Sequence, residues 1–199
     1  NMFNNLYNNR DKFKIMINFG SGAELNRRYN ISKKHEEAIF ESLPDDYYGL
    51  AKNMITREIL KTDNIYNFRI FGSFGAHEKN TRFIKNSLFR LSNNQPIEIY
   101  QDRYMDFIYV KDICLAMEYY FQNFNKKQLY KDINMCYTSE TTLLDVANKI
   151  LAIKQLPSSF VKVEKPARGG CYSGSGTKLK KTNIKLYGLE KGLGEIINV

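Results

Sequence analysis

Hydrophobic positions along the chain alternate between short continuous runs and helical spacings. Residues 13–19 form a nearly continuous apolar run, which is typical of a strand buried in a parallel sheet. Residues 45–62 place apolar side chains at helical spacing behind Asp45 and Asp46, either of which can cap a helix. Residues 65–75 read as a strand that ends in glycines. The alternation predicts an α/β protein.

Later segments continue the alternation. The pattern predicts helices over residues 82–94, 111–124 and 141–154, and strands over 97–100, 106–110 and 130–137, with extended chain at 160–165. It also predicts the end of a helix over 2–10, a loop over 26–44 with a helical turn near 35–41, and a glycine-rich loop over 167–177 followed by short helices.

The totals narrow the class of protein. A chain of 199 residues is long enough for one domain with a real core, or for somewhat more. It contains no apolar run near the roughly 18 residues that a membrane span needs, and its N-terminus has no apolar signal segment. The three cysteines are widely spaced and form neither a metal pattern nor a disulfide framework. We expect a cytoplasmic protein without a membrane partner or a metal.

The formal net charge of +9 raises the question of a nucleic-acid partner. The basic residues are scattered, with the densest cluster at 177–181, which favours a solvated surface. A basic nucleic-acid-binding domain would need an aromatic-basic stripe or a recognition helix, and the sequence shows neither. We therefore expect no nucleic-acid partner.

Tyr48 and Lys52 are four residues apart in the predicted helix 45–62, so they share a helix face. One interpretation is a packed tyrosine beside a solvated lysine. The other is an acid–base pair, because a nearby cation favours the ionised form of a phenol. Both residue types are common in this chain, so the spacing alone leaves both interpretations open.

Several motifs occur in a fixed order. A strand ends in a serine turn, a Tyr-x3-Lys helix and a second strand follow, and then come a substrate-domain stretch and a glycine-rich C-terminal segment. They read INFGSGAEL, YYGLAK, FRIFGSFG, then RFIKNSL with IEIY and DFIYVKD, and finally RGGCYSGSGTKLKK. In this order they resemble the extended short-chain dehydrogenases/reductases, the NAD-dependent epimerase/dehydratase family that acts on nucleotide sugars.

The resemblance implies the C-terminal part of a Rossmann-like parallel sheet together with a smaller mixed α/β substrate-binding domain. Residues 1–75 would be a partial NAD(P)-binding domain and 76–199 the substrate-binding region, with 106–124 returning to the first part. The family's opening strands and their Gly-x-x-Gly-x-x-Gly turn, which binds the cofactor pyrophosphate, do not occur in the sequence. We therefore expect a fragment of a longer protein, which would be a homodimer when complete.

The resemblance also implies roles for the motif residues. A hydride would move between a sugar carbon and the nicotinamide of NAD or NADP, while Tyr48 exchanges a proton with the sugar hydroxyl. Lys52 would favour the ionised phenol and hold the nicotinamide ribose. Ser21 would hydrogen-bond the sugar oxygen; otherwise it is a turn hydroxyl that satisfies local backbone.

Substrate contacts follow from the same resemblance. Arg168 lies where relatives bring an arginine to the nucleotide diphosphate, and Asn86 lies at the start of a helix that binds the sugar or nucleotide. Many relatives have an arginine where this chain has Met105, so Arg103 is the candidate replacement. Solvated surface is the alternative for Asn86 and Arg168.

In the family that the chain resembles, the sequence of the serine turn differs between enzymes that catalyse different reactions. Dehydratases usually carry Asp-Glu there, whereas this chain has GSGAEL, with Glu24 displaced by one residue. This favours an epimerase or a 4-keto reductase, with a nucleotide-sugar 4,6-dehydratase as the alternative. A non-catalytic binding or assembly relative is the other alternative, and we would expect its Ser-Tyr-Lys triad to be broken.

Overall fold

A computed structural model describes residues 2–197 of the chain. Its helices are α1 (Met2–Asn8), α2 (Tyr47–Ile59), α3 (Phe83–Ser92), α4 (Val110–Asn123), α5 (Leu143–Ile153), α6 (Thr177–Lys181) and α7 (Gly188–Ile197). Its strands are β1 (Met16–Ser21), β2 (Ile31–Lys34), β3 (Ile65–Ile70), β4 (Ser73–Phe74), β5 (Ile97–Gln101), β6 (Ile108–Tyr109), β7 (Asp132–Met135), β8 (Val161–Lys165) and β9 (Tyr172–Gly174).

A three-stranded parallel sheet of order β1-β3-β7 organises the fold. β1 pairs with β3 from Met16 opposite Ile65 to Ser21 opposite Ile70. β3 pairs in parallel with β7, which places Met135 opposite Ile70. Because the strands are parallel, their carboxyl ends meet at one edge of the sheet, and Ser21 lies at that edge.

Three apolar clusters form the core, and the smallest, which includes Leu25, Ile31, Ile39 and Phe71, lies beside the turn after β1. In the first, α4 packs against β3 and β7, with Tyr120 fully buried over Phe68 at a ring-centroid distance of 4.8 Å. The second lies between α3, α5 and α7 and includes Ile84, Ile150 and Leu193. These four helices thus each bury one apolar face. The division of the chain into two domains near residue 75 stays a prediction.

A buried ionic group lies within the central sheet. Arg69 of β3 is fully buried, and its guanidinium donates to Glu24 Oε2 at 2.9 Å and to Asp132 Oδ2 at 2.5 Å. Its Nη1 donates a further hydrogen bond to Asn134 Oδ1 at 3.0 Å. The arginine therefore joins the turn after β1 to β3 and β7, and buried charges of this kind depend on every partner being present.

Most predicted elements are confirmed with shorter bounds. The helix predicted over 45–62 is α2, and Asp46 is its cap, because its Oδ1 accepts the Gly49 N–H at 2.8 Å. Thr142 caps α5 in the same way. The strand predicted over 106–110 is reduced to β6. None of the helices in residues 2–197 is long and apolar enough to cross a membrane.

Two predicted loops were wrong in part. The segment 26–44 contains β2, and the glycine-rich segment 167–177 contains β9; the two strands pair in parallel, with Ile31 opposite Tyr172. Each is short and gains its hydrogen bonds from a distant segment, so the local pattern carries little signal. The strand predicted over 65–75 is interrupted at Gly72, where a Cβ would lie 2.4 Å from the Asp106 carbonyl oxygen.

Candidate active site

Close packing of α2 against the turn after β1 forms one wall of the site. A Cβ at Gly49 would lie 2.4 Å from the Ala23 carbonyl oxygen, so only glycine allows this approach. One turn further along α2, the buried Asn53 side chain donates to the Glu24 carbonyl at 2.8 Å. The glycine of YYGLAK therefore brings the Tyr48 end of α2 to the turn that starts at Ser21.

Lys52 fixes the same helix to β1 directly. Its Nζ donates a hydrogen bond to the Phe19 carbonyl oxygen at 2.7 Å. Tyr48 lies one turn earlier on this face of α2 and is 57% exposed, whereas its neighbour Tyr47 is 93% exposed. The Tyr-x3-Lys spacing thus places an ammonium at the strand end and a phenol at the mouth of the adjoining cavity.

Ser21 has a local role and also faces the cavity. Its Oγ accepts the Ala23 N–H at 3.2 Å. Ser21 also forms a capping box with Glu24: its side chain accepts the Glu24 N–H, and its own N–H donates to Glu24 Oε1 at 2.8 Å. The Ser21 hydroxyl therefore satisfies local backbone, as the turn-hydroxyl interpretation predicts. Ser21 also lines the cavity with Tyr48, so the two interpretations are compatible.

The cavity has a volume of about 720 Å³. Its lining comprises Ser21, Ala23, Arg27, Arg28, Tyr29, Asn30, Ile31, Tyr48, Phe71, Arg82, Arg103, Met105, Gly170, Cys171 and Tyr172. Four of these residues are arginines, and none is a carboxylate. Such a lining favours an anionic ligand.

Two of these arginines are tied to the start of α2. Arg27 pairs with Asp46 at 2.8 Å, and Arg28 pairs with Asp45 at 2.9 Å. The hydrogen bond from Arg27 lowers the pKa of Asp46. These pairs hold the loop after Ser21 beside Tyr48, a feature that the sequence pattern did not reveal because residues 26–44 read only as a loop.

The three residues predicted to contact the substrate lie in different places in the structure. Arg103 lines the cavity, and its guanidinium has no ion pair within residues 2–197. Arg168 lies outside the lining, where it stacks on Tyr104 with 4.7 Å to the ring centroid and donates to the Tyr104 hydroxyl at 2.8 Å. Asn86 is exposed on α3 outside the lining, and Arg82, one turn earlier, reaches the cavity instead. The roles of Asn86, Arg103 and Arg168 stay predictions.

Tyr172 is a cavity residue that the sequence interpretation missed. Its ring contacts Phe71 edge-on at a centroid distance of 5.3 Å, and a Cβ at Gly22 would lie 2.7 Å from its hydroxyl, which therefore lies beside the serine turn. Burial raises the pKa of Tyr172. Its position in a segment that read as a glycine-rich loop concealed it.

One group of side chains has the composition of a metal site. His35, Glu36 and Glu37 each offer a ligand atom, all within 4.8 Å of one another. The Lys178 ammonium lies 3.3 Å from Glu36 and 2.8 Å from Glu37, and Glu36 also accepts the Asn134 N–H. The lysine already supplies the cation, so this group is structural.

A parallel sheet whose strand ends carry a Ser turn and a Tyr-x3-Lys helix is typical of a dinucleotide-dependent α/β enzyme. A sequence profile of the NAD dependent epimerase/dehydratase family matches residues 9–136, and the chain belongs to that family. The predicted family and the α/β fold class are therefore confirmed. A search of curated proteins gives no match.

Solved structures share the fold. dTDP-glucose 4,6-dehydratase from Bacillus anthracis, in complex with NAD, has a TM-score of 0.77 at 14% identity, over 99% of this chain and 64% of that one. A GDP-L-fucose synthetase from Naegleria fowleri has a TM-score of 0.74 at 16% identity, over 99% of this chain and 68% of that one. UDP-glucuronic acid 4-epimerase from Bacillus cereus, in complex with UDP-glucuronic acid and NAD, has a TM-score of 0.68 at 17% identity, over 92% of this chain and 60% of that one. The chain thus spans less than two thirds of the two Bacillus enzymes.

Proposed function

We propose that this chain carries the proton-transfer and substrate-binding part of an NAD(P)-dependent enzyme that acts on nucleotide sugars, as an epimerase or a 4-keto reductase. One observation carries the proposal: Ser21 and Tyr48 line one arginine-rich cavity at the end of β1, and Lys52, one turn along α2 from Tyr48, is anchored to Phe19 of that strand. The catalytic roles of these three residues are part of the proposal.

In this proposal each side chain acts on a defined atom. The Tyr48 hydroxyl exchanges a proton with the sugar hydroxyl at the reacting carbon. The Ser21 hydroxyl donates to the same sugar oxygen as negative charge develops there. Lys52 keeps two ammonium donors beyond the one that it gives to Phe19.

The residues present fit one end of a dinucleotide. The Lys52 donors and the exposed Tyr48 hydroxyl suit a nicotinamide ribose at the rim of the cavity. Bound NAD or NADP would supply the hydride acceptor and donor, and solved relatives contain NAD or NADP. No Gly-x-x-Gly-x-x-Gly turn occurs in the sequence, so this chain by itself would bind a dinucleotide weakly.

The arginines support a nucleotide diphosphate as the anionic part of the substrate. Arg103 has a guanidinium without an ion pair in the described chain, and Arg82 reaches the same cavity. Guanidinium groups bind phosphate oxygens with charge-assisted hydrogen bonds. This supports a nucleotide sugar, in agreement with the UDP-glucuronic acid held by the Bacillus cereus relative.

The position of Glu24 favours an epimerase or reductase over a 4,6-dehydratase. Elimination of water needs a second acid beside the sugar, and Glu24 is the carboxyl group nearest in sequence to the serine turn. It is fully buried, and it bonds the Ser21 N–H and Arg69 rather than facing the cavity. A non-catalytic relative is the weaker alternative, because all three triad residues are present. A homodimer and a cytoplasmic location stay predictions.

Calorimetric titration with UDP-glucose, GDP-mannose and dTDP-glucose tests the proposal without needing turnover. We expect at least one to bind, and Arg103→Gln to weaken that binding. Titration with NADH and NADPH, followed by their fluorescence, should show weak binding by this chain. Failure of all three nucleotide sugars to bind would contradict the proposal.

A further inference from the structure

The loop over residues 26–30, which follows the serine turn, is anchored at both ends. Leu25 and Ile31 flank the loop, and both are buried in the smallest apolar cluster. Ile31 also pairs with Tyr172 across β2 and β9. Both ends of the loop are therefore fixed by the core and by a strand pair.

Side chains of the loop fix its middle as well. The Asn26 amide donates to the Leu43 carbonyl oxygen at 2.8 Å. The side-chain oxygen of Asn30 accepts the Cys171 N–H. The two arginines of the loop pair with the two aspartates just before α2. Contacts on several sides therefore hold this segment in one position.

Tyr29 is the loop residue whose side chain has no such contact. It is 63% exposed, and within residues 2–197 its hydroxyl makes no hydrogen bond and its ring has no aromatic or cationic partner. Tyr29 nevertheless lines the cavity together with Ser21 and Tyr48. A single exposed aromatic residue is ordinary on a protein surface. This one stands on an anchored loop in the wall of a ligand-sized cavity, so its ring is available to a ligand.

The loop belongs to the catalytic side of the cavity. Its ion pairs hold it to the start of α2, and Tyr48 is the second residue of that helix. Arg103, the candidate contact for the diphosphate, comes from the chain after β5, and Arg82 precedes α3. In a nucleotide sugar whose reacting carbon lies at Tyr48, the sugar is therefore the part beside Tyr29.

A tyrosine ring is suited to a sugar. One face of a pyranose carries mainly C–H groups, and covering that face with an aromatic ring removes apolar surface of both partners from water. Tyrosine offers a large, rigid contact area at a low cost in conformational entropy, and an anchored loop lowers that cost further. Such a contact adds affinity for the sugar and none for the diphosphate.

We infer that Tyr29 packs its ring against the sugar of a bound nucleotide sugar, and that it thereby distinguishes a nucleotide sugar from a bare nucleoside diphosphate. The inference rests on the proposed function for the class of ligand. It adds a specificity-determining residue outside the Ser-Tyr-Lys triad and the cavity arginines.

Calorimetry of the full chain with paired ligands tests this contact. UDP-glucose, GDP-mannose and dTDP-glucose are each compared with the matching diphosphate, UDP, GDP or dTDP. Tyr29→Ala should weaken nucleotide-sugar binding about fivefold or more, because buried apolar area is lost, and should change diphosphate binding less than about twofold. Tyr29→Phe keeps the ring and should bind both ligands like wild type. Tyr47→Ala, at an exposed tyrosine outside the cavity lining, should also leave both affinities unchanged.

The outcomes separate this inference from the proposed function. A nucleotide sugar that wild type and Tyr29→Ala bind equally well would overturn the inference and leave the proposed function intact. The same holds if Tyr29→Ala loses equal affinity for the nucleotide sugar and its diphosphate, or if Tyr29→Phe loses as much as Tyr29→Ala. A wild type that binds none of the three nucleotide sugars would contradict the proposed function, and the inference with it. Thermal unfolding checks that each variant is folded.

Discussion

The Lys52 ammonium donates a hydrogen bond to the Phe19 carbonyl oxygen at 2.7 Å, which fastens α2 to β1 two residues before Ser21. This contact explains why a tyrosine and a lysine stand one helical turn apart in YYGLAK. The lysine side chain crosses to the strand end, and the tyrosine one turn earlier is left at the cavity. The spacing therefore sets where Tyr48 and Lys52 stand relative to the end of β1.

Arg103 and Arg168 can be distinguished by binding. Arg103→Gln should weaken nucleotide-sugar binding about tenfold or more, because a charge-assisted hydrogen bond to phosphate is worth roughly 1.5–3 kcal/mol. Arg168→Gln should have a smaller effect, since its guanidinium is already engaged by Tyr104 and lies 3.9 Å from Asp102. Calorimetry of both variants measures this, and an equal loss in both would show that Arg168 also reaches the ligand.

The buried group around Arg69 should dominate the stability of the sheet. Arg69→Met leaves the Glu24 and Asp132 carboxylates buried without their cation, which costs about 3–5 kcal/mol in the free energy of unfolding. Lys61→Met breaks only the exposed pair with Glu58 and should cost less than about 1 kcal/mol. Urea denaturation compares the two variants. Similar losses would mean that the buried group contributes no more than a surface pair.

Asp106 should make the stability depend on pH. Burial is the main cause that raises its pKa from 3.8 to about 7, with Glu140 adding to the rise, while the Gly174 N–H, Cys136 and Lys33 oppose it. The folded state therefore binds the Asp106 proton more tightly than the unfolded chain does. The contribution of this group is fully present below pH 3.8 and is lost as the pH rises through about 7.

Asp106→Asn removes that titration and keeps an oxygen that can accept the Gly174 N–H, now 2.7 Å from Oδ2. Relative to wild type, the variant should gain stability as the pH rises from about 4 to about 7, by up to about 4 kcal/mol over that range. Thermal unfolding at several pH values measures the difference, with the exposed Asp11→Asn as control. Parallel stability curves for wild type and Asp106→Asn would contradict the assignment.

The sequence predicted what local pattern and motif order can encode. The periodicity of residues 45–62 and the Asp46 cap predicted α2, and the family resemblance predicted the residues at the end of β1. The sequence did not reveal that Tyr172 lines the cavity or that β2 pairs with β9, because both features depend on segments about 140 residues apart. Nor did it show that Glu24 turns inward, since that orientation depends on Arg69 in the next strand of the sheet.

In the proposed mechanism Tyr48 transfers the proton at a nucleotide sugar. The most direct test is steady-state turnover of nucleotide sugar with NAD(H) or NADP(H) for Tyr48→Phe, with the adjacent and more exposed Tyr47→Phe as the matched control. Tyr48→Phe should lose a hundredfold or more in kcat with nucleotide-sugar affinity nearly intact, because a lost general acid or base typically costs about that much. Tyr47→Phe should stay close to wild type. Turnover of Tyr48→Phe within a few-fold of wild type, or equal losses in the two variants, would contradict the role of Tyr48 in proton transfer.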